Sequence, residues 1–121
     1  MTIHESAEDY LEMVLMLKEK KGYVRSIDIA TELAVSKPSV SVAMKRLREN
    51  GYIIMDEHNF IFLTEKGMEV AKKTYERHRM LKDALMKIGV SEKTAESDAC
   101  KIEHDISDET VEYIRRAIAS E

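Results

Sequence analysis

Apolar residues recur at intervals of three and four over most of the chain, which is the period of an amphipathic helix. This period predicts a first helix over residues 6–20, with Ser6 as its N-cap and Gly22 just past its end. A short second helix follows, with Ser26 as its predicted N-cap and Leu33 as its last apolar position. The chain therefore opens with two predicted helices and a turn between them.

A third helix is predicted after Pro38 and before Gly51, because proline favours the first turn of a helix and glycine ends one. Two short helices joined by about four residues are typical of a helix-turn-helix, whose second helix enters the major groove of DNA. The outward face of this helix combines hydroxyl and basic side chains that suit phosphates and base edges. They are Lys37, Ser39, Ser41, Lys45, Arg46 and Arg48. A plain solvated face has similar residues, so the preceding helix is what favours DNA.

Two β-prone runs, residues 52–55 and 60–63, follow this helix with a turn between them. They predict a hairpin wing, so the fold class is mainly α with a small β-hairpin wing. Thr64 is the predicted N-cap of a longer helix that continues to Gly89 and leads into a second helical lobe. We therefore predict a winged helix-turn-helix DNA-binding domain over residues 1–71. A helical metal-binding and dimerisation domain is predicted over residues 72–121.

Ser91 and Ser107 are the predicted N-caps of two last helices, and the first of these carries the candidate chemistry. Residues three and four apart share a helix face, so Cys100, Glu103 and His104 are predicted to point the same way. Thiolate, carboxylate and imidazole are all ligands for divalent transition metals. A buried thiol beside a solvated face is the plainer interpretation of the same pattern.

Three ligands do not complete a transition-metal shell, and two other segments can supply more. Asp9 and Glu12 lie one helical turn apart near the N-terminus, and His78 lies on the long helix. Taken separately, the two acids also fit the solvated first turn of a helix, and the histidine also fits a structural role. We predict that these segments meet the Cys100 segment around one cation.

Composition and charge narrow the class of protein. Cys100 is the only cysteine, which excludes an intrachain disulfide and suits a reducing cytoplasm. No signal peptide is recognisable, and no apolar run approaches the ~20 residues that span a bilayer, so no membrane partner is expected. Residues 18–49 contain eight Lys/Arg and four Asp/Glu, whereas residues 90–121 contain four Lys/Arg and nine Asp/Glu. The basic segment, residues 18–49, suits binding to a polyanion. The acidic segment, residues 90–121, suits binding to a cation.

Two other functions stay open at this point. A metal-independent winged-helix regulator would use Cys100 as a redox sensor. A small metal-dependent hydrolase is disfavoured, because side chains would saturate the metal and the sequence has no nucleophile elbow, phosphate loop or H-E-x-x-H motif. We therefore predict that the protein is not an enzyme.

Several stretches together resemble the diphtheria toxin repressor family of metal-dependent transcriptional repressors, and most of all its short branch, typified by the manganese transport regulator. The resemblance covers nearly the whole length. The matching stretches are residues 8–12, 26–33, 35–41, 63–67, 77–78, 98–104 and 107–108.

The resemblance implies a homodimeric winged-helix repressor that binds double-stranded operator DNA when loaded with metal. It implies that the metal ligands are Asp9, Glu12, His78, Cys100, Glu103 and His104. It also implies that the DNA-contacting positions are Ser36, Pro38, Ser39 and Ser41, with Arg25 and the wing close by.

The sequence departs from the family pattern at three positions. Cys100 stands where the manganese branch usually has a carboxylate and the iron branch a cysteine. Lys82 and Glu96 stand where the iron branch has ligands of an ancillary site. A thiolate favours Fe(II), Co(II) or Zn(II), while Asp9 and Glu12 favour Mn(II). The predicted cofactor is therefore Mn(II) or Fe(II), with Co(II) or Zn(II) possible in vitro.

Overall fold

The computed structural model describes residues 3–120, and it describes side chains from residue 7 onward. Over these residues the chain forms six helices and one antiparallel hairpin, which confirms the predicted fold class. In chain order the elements are α1 (Ile3–Lys21), α2 (Ser26–Leu33), α3 (Lys37–Glu49), β1 (Ile53–Met55), β2 (Ile61–Leu63), α4 (Glu65–Lys87), α5 (Glu92–Ile102) and α6 (Asp108–Ala119). No helix among the described residues is both long and apolar enough to cross a membrane.

The chain divides into two compact units, residues 1–73 and residues 74–121. In the N-terminal unit, α1 packs against α2, α3 and β2, while α3 also packs against α2 and β1. These elements bury a mainly apolar core, which supplies the hydrophobic stabilisation of the unit. Its buried side chains include Leu11, Val14, Leu17, Val24, Ile29, Val40, Met44, Leu47, Ile53 and Ile61.

Two helix starts differ from the sequence prediction. Helix α1 begins at Ile3, so Ser6 lies inside the helix rather than at its N-cap. Helix α2 is capped by Arg25, not by Ser26, which is already helical. The cause is Asp28, whose carboxylate accepts the Arg25 backbone N–H at 2.9 Å and so closes the cap from inside the helix.

The hairpin pairs Ile53 with Leu63 and Met55 with Ile61, as expected for a small wing. The hydroxyl of Thr64 donates to the Gly51 carbonyl at 2.6 Å and accepts the Gly67 N–H at 3.1 Å, so Thr64 caps α4 as predicted. A Cβ at Gly67 would collide with the carbonyl oxygen of Tyr52. Only glycine therefore lets the start of α4 approach the hairpin this closely.

The C-terminal unit comprises the later part of α4 together with α5 and α6. Ser91 accepts the Thr94 N–H at 3.4 Å and Ser107 accepts the Thr110 N–H at 3.1 Å, so both predicted caps are confirmed. The unit has a thin apolar core. Its buried apolar residues are Leu81, Ala95, Ala99 and Val111.

Candidate metal centre and DNA-binding surface

Arg77 of α4 holds the segment that contains the candidate ligands. One guanidinium nitrogen donates to the carbonyl oxygens of Glu103, at 3.1 Å, and Ile106, at 3.4 Å. The other terminal nitrogen of the guanidinium pairs with the carboxylate of Asp108 at the start of α6. Three charge-assisted contacts from one planar group fix both the conformation and the position of this segment.

The helix that contains Cys100 ends before the last candidate ligand. Helix α5 ends at Ile102, so Glu103 is its C-cap and His104 lies in the turn that follows. The three candidate ligands therefore do not share one continuous helix. The Glu103 carbonyl has no partner within the helix and accepts a hydrogen bond from Arg77 instead. Helix α6 begins separately, at Asp108, with Ser107 as its N-cap.

Glu103 is the centre of the candidate site, because three other possible ligands surround its carboxylate. Its Oε2 lies 3.0 Å from Nδ1 of His78, and its Oε1 lies 3.3 Å from Nε2 of His104. A carboxylate oxygen also lies within 4.8 Å of the Cys100 sulfur. The Glu103 side chain is fully buried, which is rare for a carboxylate unless it is paired.

The environment of Glu103 fits a divalent cation. Its Oε1 accepts no well-aligned hydrogen bond from the residues that the structure describes, even though His104 is near. A buried carboxylate oxygen without a hydrogen bond lowers the free energy of unfolding, and a bound cation would offset this loss. The side chains near this carboxylate are imidazoles and a thiol, and imidazole, thiolate and carboxylate are all ligands of transition metals.

His78 is charged at neutral pH in this arrangement. The Glu103 carboxylate accepts a hydrogen bond from the ring and raises the pKa of His78 to about 9; burial opposes the increase, and Glu96 adds to it. A cation that binds His78 near pH 7 must therefore displace a proton from the ring.

Two residues outside the predicted ligand set belong to this cluster, because Glu96 contacts His78 and Lys82 contacts Glu96. Oε1 of Glu96 lies 2.8 Å from Nε2 of His78, and Oε2 of Glu96 lies 3.1 Å from the ammonium of Lys82. Burial alone would raise the pKa of Glu96, but Lys82 and His78 keep it below its usual value. The sequence identified both positions only as departures from a family pattern and gave no sign that they meet His78.

The remaining predicted ligands are Asp9 and Glu12, both on α1. Glu12 is only 7% exposed and Asp9 is half-buried, so neither is an ordinary solvated first-turn acid. Cys100 is exposed, so the interpretation of a buried structural thiol is wrong. The structure thus brings His78, Cys100, Glu103 and His104 together within the C-terminal unit.

The predicted DNA-contacting residues form an exposed surface on the N-terminal unit. Ser36 is the N-cap of α3, and its hydroxyl accepts the Ser39 N–H at 3.3 Å. The opposite side of α3 is buried through Val40, Met44 and Leu47. All eight predicted DNA-contacting residues are exposed. They are Arg25, Ser36, Lys37, Pro38, Ser39, Ser41, Lys45 and Arg46.

Arg25 is linked to the wing end of this surface. Its guanidinium carbon lies 4.3 Å from the ring centroid of Phe60, which precedes β2. Phe60 in turn meets Tyr23 edge to face, with centroids 5.9 Å apart. Stacking on an aromatic ring limits the rotamers of arginine and leaves its donors at the edge of the ring. The sequence had indicated only that Arg25 lies near the wing.

Two family models match the chain. The N-terminal DNA binding domain of iron dependent repressors matches residues 2–59, and their metal binding and dimerisation domain matches residues 64–120. The chain therefore belongs to the iron-dependent repressor family, the metal-dependent transcriptional repressors of diphtheria toxin repressor and MntR type.

Relatives and solved structures agree with this assignment. The chain is 38% identical over 113 residues to an uncharacterised HTH-type transcriptional regulator of Methanocaldococcus jannaschii, covering 92% of this chain and 90% of that protein. It is 38% identical over 109 residues to the HTH-type transcriptional regulator MntR of Bacillus subtilis, covering 90% and 77%.

Two solved structures have the same fold. The manganese regulator SloR superposes with a TM-score of 0.83 at 29% identity, and IdeR of T. acidophilum with 0.84 at 26%. Each alignment covers 93% of this chain and 53% of the other, so the chain spans about half the length of those structures.

Proposed function

We propose that this protein is a metal-activated repressor that binds operator DNA as a homodimer and controls metal homeostasis. The observation that carries the proposal is the buried Glu103 carboxylate, which has His78, His104 and Cys100 around it. In the proposal, residues 1–71 bind DNA, and residues 72–121 bind metal and dimerise. The proposed location is the cytoplasm, because an operator-binding repressor acts where the DNA is.

The proposed metal ligands include residues from both ends of the chain. His78, Cys100, Glu103 and His104 belong to the C-terminal unit, and the resemblance to the family adds Asp9 and Glu12 of α1. Glu12 is only 7% exposed, so its carboxylate is already largely removed from solvent, as a metal ligand would be. When bound, the cation supplies a fixed positive charge that binds thiolate, imidazole and carboxylate together.

The metal is proposed to be Mn(II) or Fe(II), with Co(II) and Zn(II) binding in vitro. The carboxylates favour Mn(II), because it is a hard cation, whereas the Cys100 thiolate favours the softer ions. One similar structure is that of a manganese regulator, and the two matching family models are those of iron dependent repressors, so each metal has some support.

The exposed surface of α3 is proposed to contact the major groove. Ser39 and Ser41 would meet base edges or phosphates, while Lys45 and Arg46 would meet phosphates or guanine edges. A dimer must present its two α3 helices about one DNA turn apart, ~34 Å. Metal activates such a protein only if it binds the DNA-competent conformation more tightly than the other one.

Exposed apolar side chains on the C-terminal unit support dimerisation. Met86, Ile88 and Tyr113 are 41%, 79% and 61% exposed, and a second copy would cover such residues. The unit also has a thin apolar core, and burial against a partner would add to it.

The proposal is tested by titrating operator-containing DNA with the protein, first after chelation and then with Mn(II), Fe(II), Co(II) or Zn(II) restored. We expect DNA binding to need metal and to return with it. A Cys100→Glu variant should gain response to Mn(II) relative to Fe(II), because a carboxylate replaces the thiolate. His58→Gln, at an exposed position on the wing, is the matched control and should leave the metal response unchanged. DNA binding that is the same with and without chelator would overturn the proposal.

A second candidate function is favoured by the exposure of the single cysteine. An accessible thiol can be oxidised, so a metal-independent winged-helix regulator would use Cys100 as a redox sensor. In that case alkylation of Cys100 changes DNA binding, while chelators do not. The metal-activated repressor predicts instead that chelators abolish DNA binding.

A further inference from the structure

The two ring nitrogens of His78 face different carboxylates. Nδ1 lies 3.0 Å from Oε2 of the buried Glu103, and Nε2 lies 2.8 Å from Oε1 of Glu96, which is half exposed. A neutral imidazole has one N–H, so it can donate to only one of the two carboxylates. A metal can bond only the nitrogen that has no proton. The choice between the two nitrogens is therefore a choice between Glu103 and Glu96.

The surroundings of the two carboxylates are different. Glu103 is near two further candidate ligands, the imidazole of His104 and the thiol of Cys100. Glu96 is near an ammonium instead, because Lys82 lies 3.1 Å from its Oε2 and 3.5 Å from the carboxylate of Glu92. A cation close to the Glu96 carboxylate would be repelled by Lys82, whereas a cation close to the Glu103 carboxylate would have the potential ligands His104 and Cys100 beside it.

We propose that Glu96, oriented by Lys82, is a positioning residue that keeps the proton of His78 on Nε2 and so leaves Nδ1 for the metal. The inference rests on the proposed function, since it concerns the same metal site. Histidines that bind metals commonly donate their other ring N–H to a carboxylate, which fixes the tautomer and the ring orientation. Here one oxygen of Glu96 is engaged by Lys82 and the other is directed at His78, so the carboxylate cannot easily rotate away.

The proposal predicts which nitrogen of His78 binds metal. Zn(II) is diamagnetic, so protein labelled with ¹⁵N-histidine and loaded with Zn(II) can be studied by long-range ¹H–¹⁵N correlation spectra. His78 is assigned by the signal that a His78→Gln variant lacks. We expect a protonated Nε2 and a metal-bound Nδ1 for His78. A protonated Nδ1 with a metal-bound Nε2 would overturn the proposal and leave the metal site itself intact.

Matched variants on α5 test the role of Glu96 separately. Glu96→Gln removes the charge that faces His78, whereas Glu92→Gln removes a charge that contacts Lys82 but not His78. We expect Glu96→Gln to weaken Zn(II) binding by about 10-fold or more and to mix the two His78 tautomers, as typical of lost partners around metal ligands. Glu92→Gln should change neither the affinity nor the tautomer.

The possible failures are distinguishable. If Glu96→Gln leaves the affinity and the His78 tautomer unchanged, Glu96 has no positioning role, although the protein still binds metal. If Zn(II) leaves the ring signals of both His78 and His104 unperturbed in the unmodified protein, the proposed metal site itself is wrong. Circular dichroism of the variants shows whether a lower affinity is simply a loss of folded protein.

Discussion

The two units bury different kinds of side chain. The N-terminal unit encloses a continuous set of Leu, Ile, Val and Met, including Ile29 and Ile53, which are fully buried, and Glu12 is the one charged side chain buried among its described residues. The C-terminal unit has Leu81, Val111 and two alanines as its apolar core, and it also buries the polar side chains of Thr74, His78 and Glu103. Apolar burial stabilises at any ordinary pH, whereas a buried ion pair depends on protonation and on bound ions.

This difference assigns separate tasks to the two units. A unit with an apolar core can present an exposed, fixed recognition helix without needing a ligand. A unit with a carboxylate and two imidazoles at its centre has a stability that changes when protons or cations bind. A metal-responsive repressor needs both properties, one for the DNA surface and one for the sensor.

The largest expected effect follows from truncating the N-terminal core. Ile29→Ala leaves a cavity in the N-terminal unit, so the free energy of unfolding should fall by about 3 kcal/mol. Chemical denaturation of the metal-free protein, followed by circular dichroism, measures the loss. Ile54→Ala, at a position that is 57% exposed, is the control and should cost under about 0.5 kcal/mol. Equal losses would show that the apolar core does not stabilise this unit.

The second prediction concerns pH and the polar centre of the metal-free protein. The pKa of His78 is raised to about 9 in the folded state, above the ordinary value of 6.5. Its stabilising contribution is therefore complete below pH 6.5 and is lost as the pH rises towards 9, a decrease on the order of 1–3 kcal/mol. Denaturation at several pH values measures the slope.

Two histidine variants test the origin of that slope. His78→Gln should abolish it, because no proton then binds at this position in either state. His58→Gln on the wing should keep the slope of the unmodified protein. A slope that survives in the His78→Gln variant would mean that another group is responsible.

A third, smaller effect is the release of protons when metal binds. His78 carries a proton at pH 7.5 that the metal must displace, so the apparent affinity should rise about tenfold per pH unit for each proton released. Calorimetry with Zn(II) in buffers of different ionisation enthalpy gives the number of protons. We expect fewer protons to be released at pH 9.5 than at pH 7.5. An identical number at both values would contradict the raised pKa.

The smallest effect is expected at a surface cap of the N-terminal unit. Burial alone would raise the pKa of Asp28, but hydrogen bonds from Lys21 and from the Arg25 N–H lower it. The contribution of Asp28 is therefore present above pH 4 and is lost as the pH falls further. Asp28→Asn should cost about 0.5–1 kcal/mol at pH 7 and less at pH 2.

The control for this variant is Glu32→Gln, at an exposed position on the same helix. It should have no measurable effect at either pH. A cost for Asp28→Asn that is the same at pH 7 and pH 2 would show that the carboxylate charge does not matter at this cap.

The local features of the fold followed from the sequence. The hydrophobic period located the helices. The Thr64, Ser91 and Ser107 caps and the hairpin turn located most of their boundaries. The exposed surface of α3 also followed, since a helix of known period has a known outward side. These features depend on residues within a few positions of one another, so a pattern in the chain is enough to reveal them.

Contacts between residues distant in the chain were decided by the tertiary structure alone. Arg77 donates a hydrogen bond to the Glu103 carbonyl across 26 residues, just past the end of α5 at Ile102, while Glu96 contacts His78 across 18 residues. Neither pairing leaves a periodic signal, because it depends on how α4 and α5 pack. The sequence by itself determined which side chains could bind a metal. Only folding brought them together and set their partners, because hydrogen bonds and ion pairs need atoms within about 3–4 Å of each other.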